Sequence, residues 1–501
     1  IPQGYRPYDL RLFRTNPHPT NSFINIRILK IIIMDRFINR KEELEFLERK
    51  YKEKGFQLLV IYGRRRTGKT ELIKQFSTNK DSIYYLADKR GTLLNTKLFA
   101  KEASSFFNDV EPSAENFDDI FEYIVKRAGN KRMVVIIDEF SYLVEKDDSM
   151  PSIFQKISDN VLKNSNIVLI LCGSSIGMME RGVLSYKSPL YGRRTGEWKL
   201  DPLTYKNSMD FFPKYKFEDR AKTALVLGGI PAYLKLFDDS LSMHDNIKNK
   251  MLAKGEFLYT EVERILQEEL RDPSTYLRIL DCMSKGATKI VDIANKSYLD
   301  AKDLPKYLNV LQKLGYVNKS HPVTEKKPKT KKTIYKISDN FFSFWFNFVS
   351  TYKNDLEMGE VERVAKKIEK DINAFLGRPF EELCKEFLRY LSLPFKPEKI
   401  GNWWGHTKVL NQVSGVLERK EIEIDLVCLS KKEALFVECK WKELSENQAG
   451  KILEELKEKS GFVETDAKKI YFGMIAKKIE GKVKLRKEGF FAFDLSDLEK
   501  I

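Results

Sequence analysis

Cysteine is scarce: Cys172, Cys282, Cys384, Cys428 and Cys439 are the only five in 501 residues, and most sit inside apolar runs. An odd, scattered set excludes a disulfide framework and offers no paired zinc ligands. It fits a reducing, intracellular setting, so a cytoplasmic location is expected. Long apolar runs are missing too. No uninterrupted stretch reaches the roughly 18 residues that a spanning helix needs, and Arg27 and Lys30 break the one early candidate. No membrane partner is expected. Methionine is absent before Met34, and the segment ahead of it has no small-residue cleavage site of the signal-peptide type. Residues 1–33 are expected to be an upstream or non-native leader, with Met34 as the natural start. The alternative is an added strand on the first domain.

What is present suggests several domains. A chain of 501 residues with 42% hydrophobic content is too long for one core and can fill roughly three. The formal charge of +16 favours an anionic partner, nucleic acid first. With 32% charged residues, a solvated Lys/Glu-rich surface is the other reading.

The strongest local signal is Gly63, Arg64, Arg65, Arg66, Thr67, Gly68, Lys69 and Thr70, which fits the phosphate-loop pattern GxxxxGK[ST] directly behind the apolar run at 56–62. Strand, tight loop and helix N-terminus together aim backbone N–H groups at nucleotide phosphates. Lys69 reaches the β and γ phosphates, and the Thr70 hydroxyl holds Mg²⁺. A second buried strand at 132–138 ends in Asp138 and Glu139. Asp138 is expected to orient the metal, and Glu139 to polarise the attacking water; an acid pair there can also be a helix cap. A third strand, 166–172, ends in Gly173, Ser174 and Ser175. Ser174 is the candidate γ-phosphate sensor, although a Gly-Ser turn fits the spacing equally well. Upstream, residues 39–54 read as a helix capped by Asn39.

These segments, together with residues 37–44, 190–194 and 228–231, resemble the archaeal ATPase family of the AAA+ and STAND assemblage. The resemblance implies that Phe37 and Arg40 pack near the adenine and that Arg193 is a candidate arginine finger. It also implies that Gly229 and Pro231 lie in a helical lid. A finger acts across a subunit interface, so a homo-oligomer is implied as well; a surface basic pair of Arg193 with Arg194 is the plainer reading.

Residues 273–286, 288–295 and 303–314 read as three helices, followed by a two-stranded pattern with a lysine-rich tip at 324–332. That is a winged helix-turn-helix outline, suited to phosphate contacts and so to DNA. A packing or protein-interaction module has the same outline. Lys302, Lys306 and Lys313 make the third helix and its lead-in lightly basic, with few base-reading groups. The aromatic run 339–348 is too apolar for exposure and is expected to weld this module to its neighbour.

In the last segment Asp425 sits on a strand at 421–429, and period two places Glu438 and Lys440 on one face of the next strand, 433–441. A helix at 377–387 can add Glu382, and a helix at 444–461 and a strand at 469–473 follow. This order resembles the PD-(D/E)XK nuclease superfamily. The resemblance implies Mg²⁺ held by Glu382, Asp425 and Glu438, with Lys440 acting on the hydroxide or the phosphate. A cross-strand ion pair on a solvated face is the other reading. Trp403, Trp404 and His406 fall in an uninterpreted loop.

The expected fold is multidomain α/β: a P-loop NTPase parallel sheet (34–200), a helical lid (201–270), a winged helix-turn-helix (271–345), a helical linker (346–375) and an α/β restriction-endonuclease-like domain (376–501). The expected function is ATP binding and hydrolysis coupled to DNA binding and Mg²⁺-dependent nucleic-acid cleavage. The alternative is a STAND-type ATP-dependent switch whose last domain binds a partner or nucleic acid without cutting it.

Overall fold

The structure, a computed structural model, describes residues 37–326, 330, 332–410 and 417–501; the side chains of 408–410 and 417–419 are outside that description. It divides into two units, Ile1–Asn39 and Arg40–Ile501. The leader at 1–33 lies outside the described residues, as do 327–329 and 331 of the lysine-rich tip.

The β-branched runs form β1 (Gln57–Tyr62), β2 (Ser82–Leu86), β3 (Met133–Asp138) and β4 (Ile167–Gly173). With β5 (Gly196–Lys199) they make a parallel sheet in the spatial order β2, β3, β4, β1, β5. β3 and β4 are buried along their whole length, as parallel strands covered by helices on both faces must be. β5 escapes a sequence reading because it is a four-residue edge strand with alternating exposure and no β-branched residue. Because β4 lies between β1 and β3 and all run the same way, their C-terminal tips line one edge of the sheet.

The first described helix is Lys41–Lys52, and its N-cap is Arg40 in a left-handed conformation (φ 68°). The expected Asn39 cap is therefore incorrect: Arg40 stands at that position without a side-chain cap bond, and Glu42 and Glu43 supply the favourable charge in the first turn.

Helices from Tyr205–Met209 to Phe257–Glu269, the segment expected to be a lid, follow the sheet. Next come the helices Pro273–Ser284, Ile290–Ser297 and Leu304–Lys313, then an antiparallel hairpin of β6 (Val317–Ser320) and β7 (Ile334–Ile337). The aromatic run forms Asn340–Phe344 and a π-helical turn, Trp345–Ser350, burying Phe341, Phe342, Phe344, Trp345 and Phe346. One apolar core runs unbroken from Leu203 through the lid, the hairpin module and the next helix to Leu435 and Val437 of the last sheet.

That next helix is Val361–Phe387, 27 residues long. The domain boundary expected at 375/376 falls inside it. Gly377 and Pro379 read as a helix start, yet Pro379 forfeits only one intrahelical bond, and the buried stripe of Ile368, Leu376, Phe380 and Leu383 continues on both sides of it. Packing overrides the local breaker.

The second large sheet contains β8 (Lys399–Leu410), β9 (Leu417–Leu429), β10 (Glu433–Leu444), β11 (Lys469–Ile479) and β12 (Phe491–Asp494), in the order β12, β11, β10, β9, β8. β8, β9 and β10 pair antiparallel; β10, β11 and β12 pair parallel, with the helix Glu446–Ser460 between β10 and β11. The loop expected around Trp403, Trp404 and His406 is in fact β8, where Trp403 pairs with Ile424 and His406 with Glu421.

Candidate functional site

The loop at 63–70 joins β1 to the helix Lys69–Ser77. Gly63 and Gly68 adopt φ of 154° and 90°. A Cβ on Gly63 would lie 2.4 Å from the Leu200 carbonyl oxygen, which is why this position requires glycine. Arg40 braces the loop by donating to the Thr67 carbonyl at 3.0 Å, and the Thr67 hydroxyl donates to the Arg64 carbonyl at 2.9 Å. The Lys69 ammonium donates to the carbonyls of Gly63 (3.1 Å) and Arg64 (2.8 Å), and burial pulls its pKa down.

The tip of β3 faces this loop. Asp138 Oδ2 accepts from the Thr70 hydroxyl and the Tyr84 hydroxyl, both at 2.8 Å. Burial, then Asp138, pushes the Tyr84 phenol far up, so it serves as a donor. Glu139 has φ 54°, and its carboxylate accepts from the Ser174 hydroxyl (2.6 Å) and the Ser174 amide (3.2 Å). Lys69, Thr70, Asp138, Glu139 and Ser174 are thus brought together, and Ser174 bonds Glu139 directly. Tyr84 was missed; its place on β2, beside β3, is the only signal it gives. A Mg²⁺ with nucleotide fits here on the donor set alone: a hydroxyl and a carboxylate on one hydrogen bond are the hard oxygen ligands it takes while keeping several waters.

The three loop arginines turn their side chains away from the phosphate side. Arg64 forms a buried ion pair with Asp339 at 2.6 Å, donates to the Gly315 carbonyl at 3.4 Å and lies 4.3 Å from the Tyr316 ring centroid. Arg65 pairs with Glu269 at 3.0 Å. Arg66 pairs with the fully buried Glu261 and lies over the Phe257 ring at 4.4 Å. Their contribution to phosphate binding is confined to the backbone. Asp339, Glu261 and Glu269 were not legible as partners, being 190 or more residues away along the chain.

Gly229 and Pro231 border the same loop. The Gly229 carbonyl accepts the Leu203 amide at 2.7 Å, and a Cβ on Gly68 would lie 3.9 Å from Pro231 Cγ. Phe37 belongs to the Ile1–Asn39 unit and is half-buried. Arg193 is not at this site in the single chain: it is partly exposed and pairs with Asp159 at 2.9 Å.

In the second sheet Asp425, Glu438 and Lys440 converge. The Lys440 ammonium donates to Asp425 Oδ2 (3.2 Å) and Glu438 Oε1 (2.9 Å), and Lys459 donates to the same Glu438 oxygen at 3.2 Å. Asp425 Oδ2 also accepts the Cys439 amide at 2.8 Å. Glu438 is 5% exposed, and its Oε2 is buried without a partner. Burial, then the Glu438 charge, holds the Asp425 carboxyl above its usual range. Burial alone would lower Lys440, but Asp425 and Glu438 outweigh it and hold the ammonium well above its ordinary value.

Glu382 does not join them: it is exposed, and its carboxylate lies 3.6 Å from Lys385. Its neighbour Glu381 is half-buried instead, and burial, with the Asp425 charge next, raises it to about 8. The error is one of helical phase, since successive residues differ by about 100° around the axis. Among the described residues no group of three His, Cys, Asp or Glu side chains gathers closely enough to hold a metal. Asp425 and Glu438, with one orphaned buried oxygen, fit a Mg²⁺ that takes its remaining ligands from water.

A glycine-bounded phosphate loop on β1, an acidic tip on β3 and β4 inserted between them define an ATPase of the P-loop class. Comparison with known proteins agrees. An ATPase domain predominantly from Archaea matches residues 37–237, and a family of archaeal and bacterial proteins of unknown function matches 345–452. The uncharacterized protein MJECL04 of Methanocaldococcus jannaschii is 37% identical over 467 residues, 92% of this chain and 99% of that one. The uncharacterized ATP-binding protein MJ0423 of the same organism is 66% identical over 44 residues, 9% of this chain and 75% of that one. The chain belongs to the archaeal ATPase family. Among solved structures it is similar to the Walker-type ATPase PABY2304 of Pyrococcus abyssi (TM-score 0.46, 21% identity, 62% of this chain and 96% of that one). It is also similar to the ORC2 protein of Aeropyrum pernix (TM-score 0.40, 13% identity, 65% and 96%). Among the described residues no helix is long and apolar enough to cross a membrane.

Proposed function

We propose that this ATPase uses its nucleotide cycle to license hydrolysis of a nucleic-acid phosphodiester at Asp425, Glu438 and Lys440. Backbone amides of 63–70 and Lys69 hold the ATP phosphates, Thr70 and Asp138 hold Mg²⁺, and Glu139 orients the attacking water. Bound ATP and Mg²⁺ supply the phosphoanhydride and the charge that neutralises it. Ser174 ties up Glu139 until a γ-phosphate competes for the Ser174 hydroxyl. Residues 271–345 act as a winged helix, and DNA is the favoured partner. Arg193 acts as a finger toward a second copy of the chain.

At the second site Asp425 and Glu438 hold Mg²⁺, and Lys440 stabilises charge on the reacting phosphate. The observation that carries this reading is the Asp425, Lys440 and Glu438 chain within 3.2 Å, with a buried Glu438 oxygen left over. Buried polar oxygens normally have a partner, so this one leaves a place for a ligand from outside. Mg²⁺-dependent release of labelled ends from DNA or RNA is the test. Wild type is expected to cut and Glu438→Ala to fall by at least about 100-fold; a wild type that cuts neither substrate overturns the cleavage reading.

The switch reading, in which the last domain binds without cutting, has its own support. Arg64, Arg65 and Arg66 anchor the phosphate loop to the lid and to both ends of the hairpin module. The same wiring serves either output, so ATP acts here through a two-state rearrangement.

A further inference from the structure

A cavity of about 880 Å³ opens between the lid, the hairpin β6–β7 and the helix Val361–Phe387. Hydroxyls and amides such as Ser284, Ser320, Ser343, Asn318 and Asn347 stand along its wall beside apolar side chains such as Phe375 and Ile337. Of the carboxylates on that wall, Glu386 accepts the amides of Tyr205 (2.8 Å) and Lys206 (3.0 Å), and Glu382 lies against Lys385. The cations divide differently. Lys285 pairs with Asp281, but among the described residues no carboxylate lies within ion-pair distance of Lys336, Arg378 or Arg389. Glu381 on the same wall feels the charge of Lys336 and Arg378 without forming an ion pair with either, and cations without a salt-bridge partner on a concave surface attract an anion from outside.

The helix expected to meet DNA presents the opposite picture. Lys302 pairs with Asp300, Lys306 with Asp303 and Lys313 with Glu180. The cavity wall includes Glu381, on the helix Val361–Phe387 that packs against β10, the strand of Glu438 and Lys440. On the cavity wall Tyr390 is 51% exposed, with the Lys206 ammonium 5.0 Å from its ring centroid; a base can stack on the ring's other face. At about 880 Å³ the cavity has the volume of a ligand pocket, room for a few nucleotides of one strand and not for a duplex.

We infer that this cavity binds a single polynucleotide strand, with Lys336, Arg378 and Arg389 on its phosphates and Tyr390 on a base, and leads it to Asp425, Glu438 and Lys440. The inference rests on the cleavage reading for its destination, but not for its binding.

The test is fluorescence anisotropy of labelled 20-nucleotide DNA, RNA and duplex DNA with the full chain in EDTA, so that no cleavage intervenes. Wild type is expected to bind a single strand, DNA or RNA, at least about tenfold tighter than duplex. Lys336→Ala/Arg378→Ala/Arg389→Ala weakens single-strand binding at least about tenfold and lowers the slope of log affinity against log salt by about 2, three contacts at ~0.7 each. Tyr390→Ala costs about tenfold with the salt slope unchanged. Thermal melting reports folding, and Arg378→Lys, which keeps the charge, retains binding. Unchanged single-strand binding in the folded triple variant, duplex bound as tightly as single strand, or no binding of either strand overturns the inference. If wild type binds a strand but never cuts it when Mg²⁺ is restored, the cavity assignment stands and the cleavage reading falls.

Discussion

Asp339 ties the phosphate loop to the rest of the chain through one side chain. It receives the Arg64 guanidinium at 2.6 Å and caps the following helix by accepting the Phe342 amide at 3.0 Å, with both partners buried. Removing one member of a buried pair leaves an uncompensated charge, which costs about 3–5 kcal/mol. Asp339→Ala is therefore expected to lower the urea unfolding free energy by that amount, and Arg64→Met/Asp339→Ala by less than the sum of the single changes. Glu381 has the opposite character, a carboxyl that the fold keeps protonated. Its pKa is raised from 4.5 to about 8, so between those values the folded chain holds the extra proton and its stability falls as pH rises. Glu381→Gln removes that penalty. In the absence of divalent cations the variant is expected to match wild type near pH 4.5 and to exceed it near pH 8 by on the order of 2 kcal/mol, discounted for partial exposure. Melting curves across that range check it.

At the scale of elements, glycines set the approach of one segment to another. Gly229 packs its backbone on Leu203, where a Cβ would lie 2.0 Å from the carbonyl oxygen. Gly229→Ala is expected to cost on the order of 2 kcal/mol in thermal or denaturant unfolding, as overpacking does. Gly63→Ala pushes the loop off Leu200 and is expected to cut the ATPase kcat/KM by on the order of 100-fold, as a misplacement near 1 Å does. The elements that could be read from sequence were those with local signatures: β1, β3 and β4 from continuous β-branched runs, and the phosphate loop from its glycines. β9 and β10 carry alternation that places Glu438 and Lys440 on one face, and the structure brings both onto Asp425. β5, β8 and β12 were hidden for want of such signals. β8 carries tryptophans and glycines that resemble a loop, and its pairing with β9 is what makes it a strand. The helix through Pro379 hid its continuity behind a breaker, and Glu382 was chosen over Glu381 because one residue step, about 100° of helical phase, decides which carboxyl is half-buried.

Across the whole molecule, the informative feature is continuity. One apolar core joins the lid, the hairpin module and the last sheet, and three arginines of the phosphate loop reach into the first two. No sequence motif reports this wiring, because each partner is distant along the chain and ordinary in type. On the proposed function, motion of the loop on nucleotide binding would pass to the body that carries the Asp425 site and so license cleavage there. The direct measurement is the rate of end release from a labelled nucleic acid in ATP and Mg²⁺, wild type against Lys69→Ala, with ATP hydrolysis followed in the same samples. Lys69→Ala is expected to lose hydrolysis and to slow cleavage in parallel by at least about tenfold. Cleavage that proceeds at the wild-type rate in Lys69→Ala, with hydrolysis abolished, would contradict the coupling.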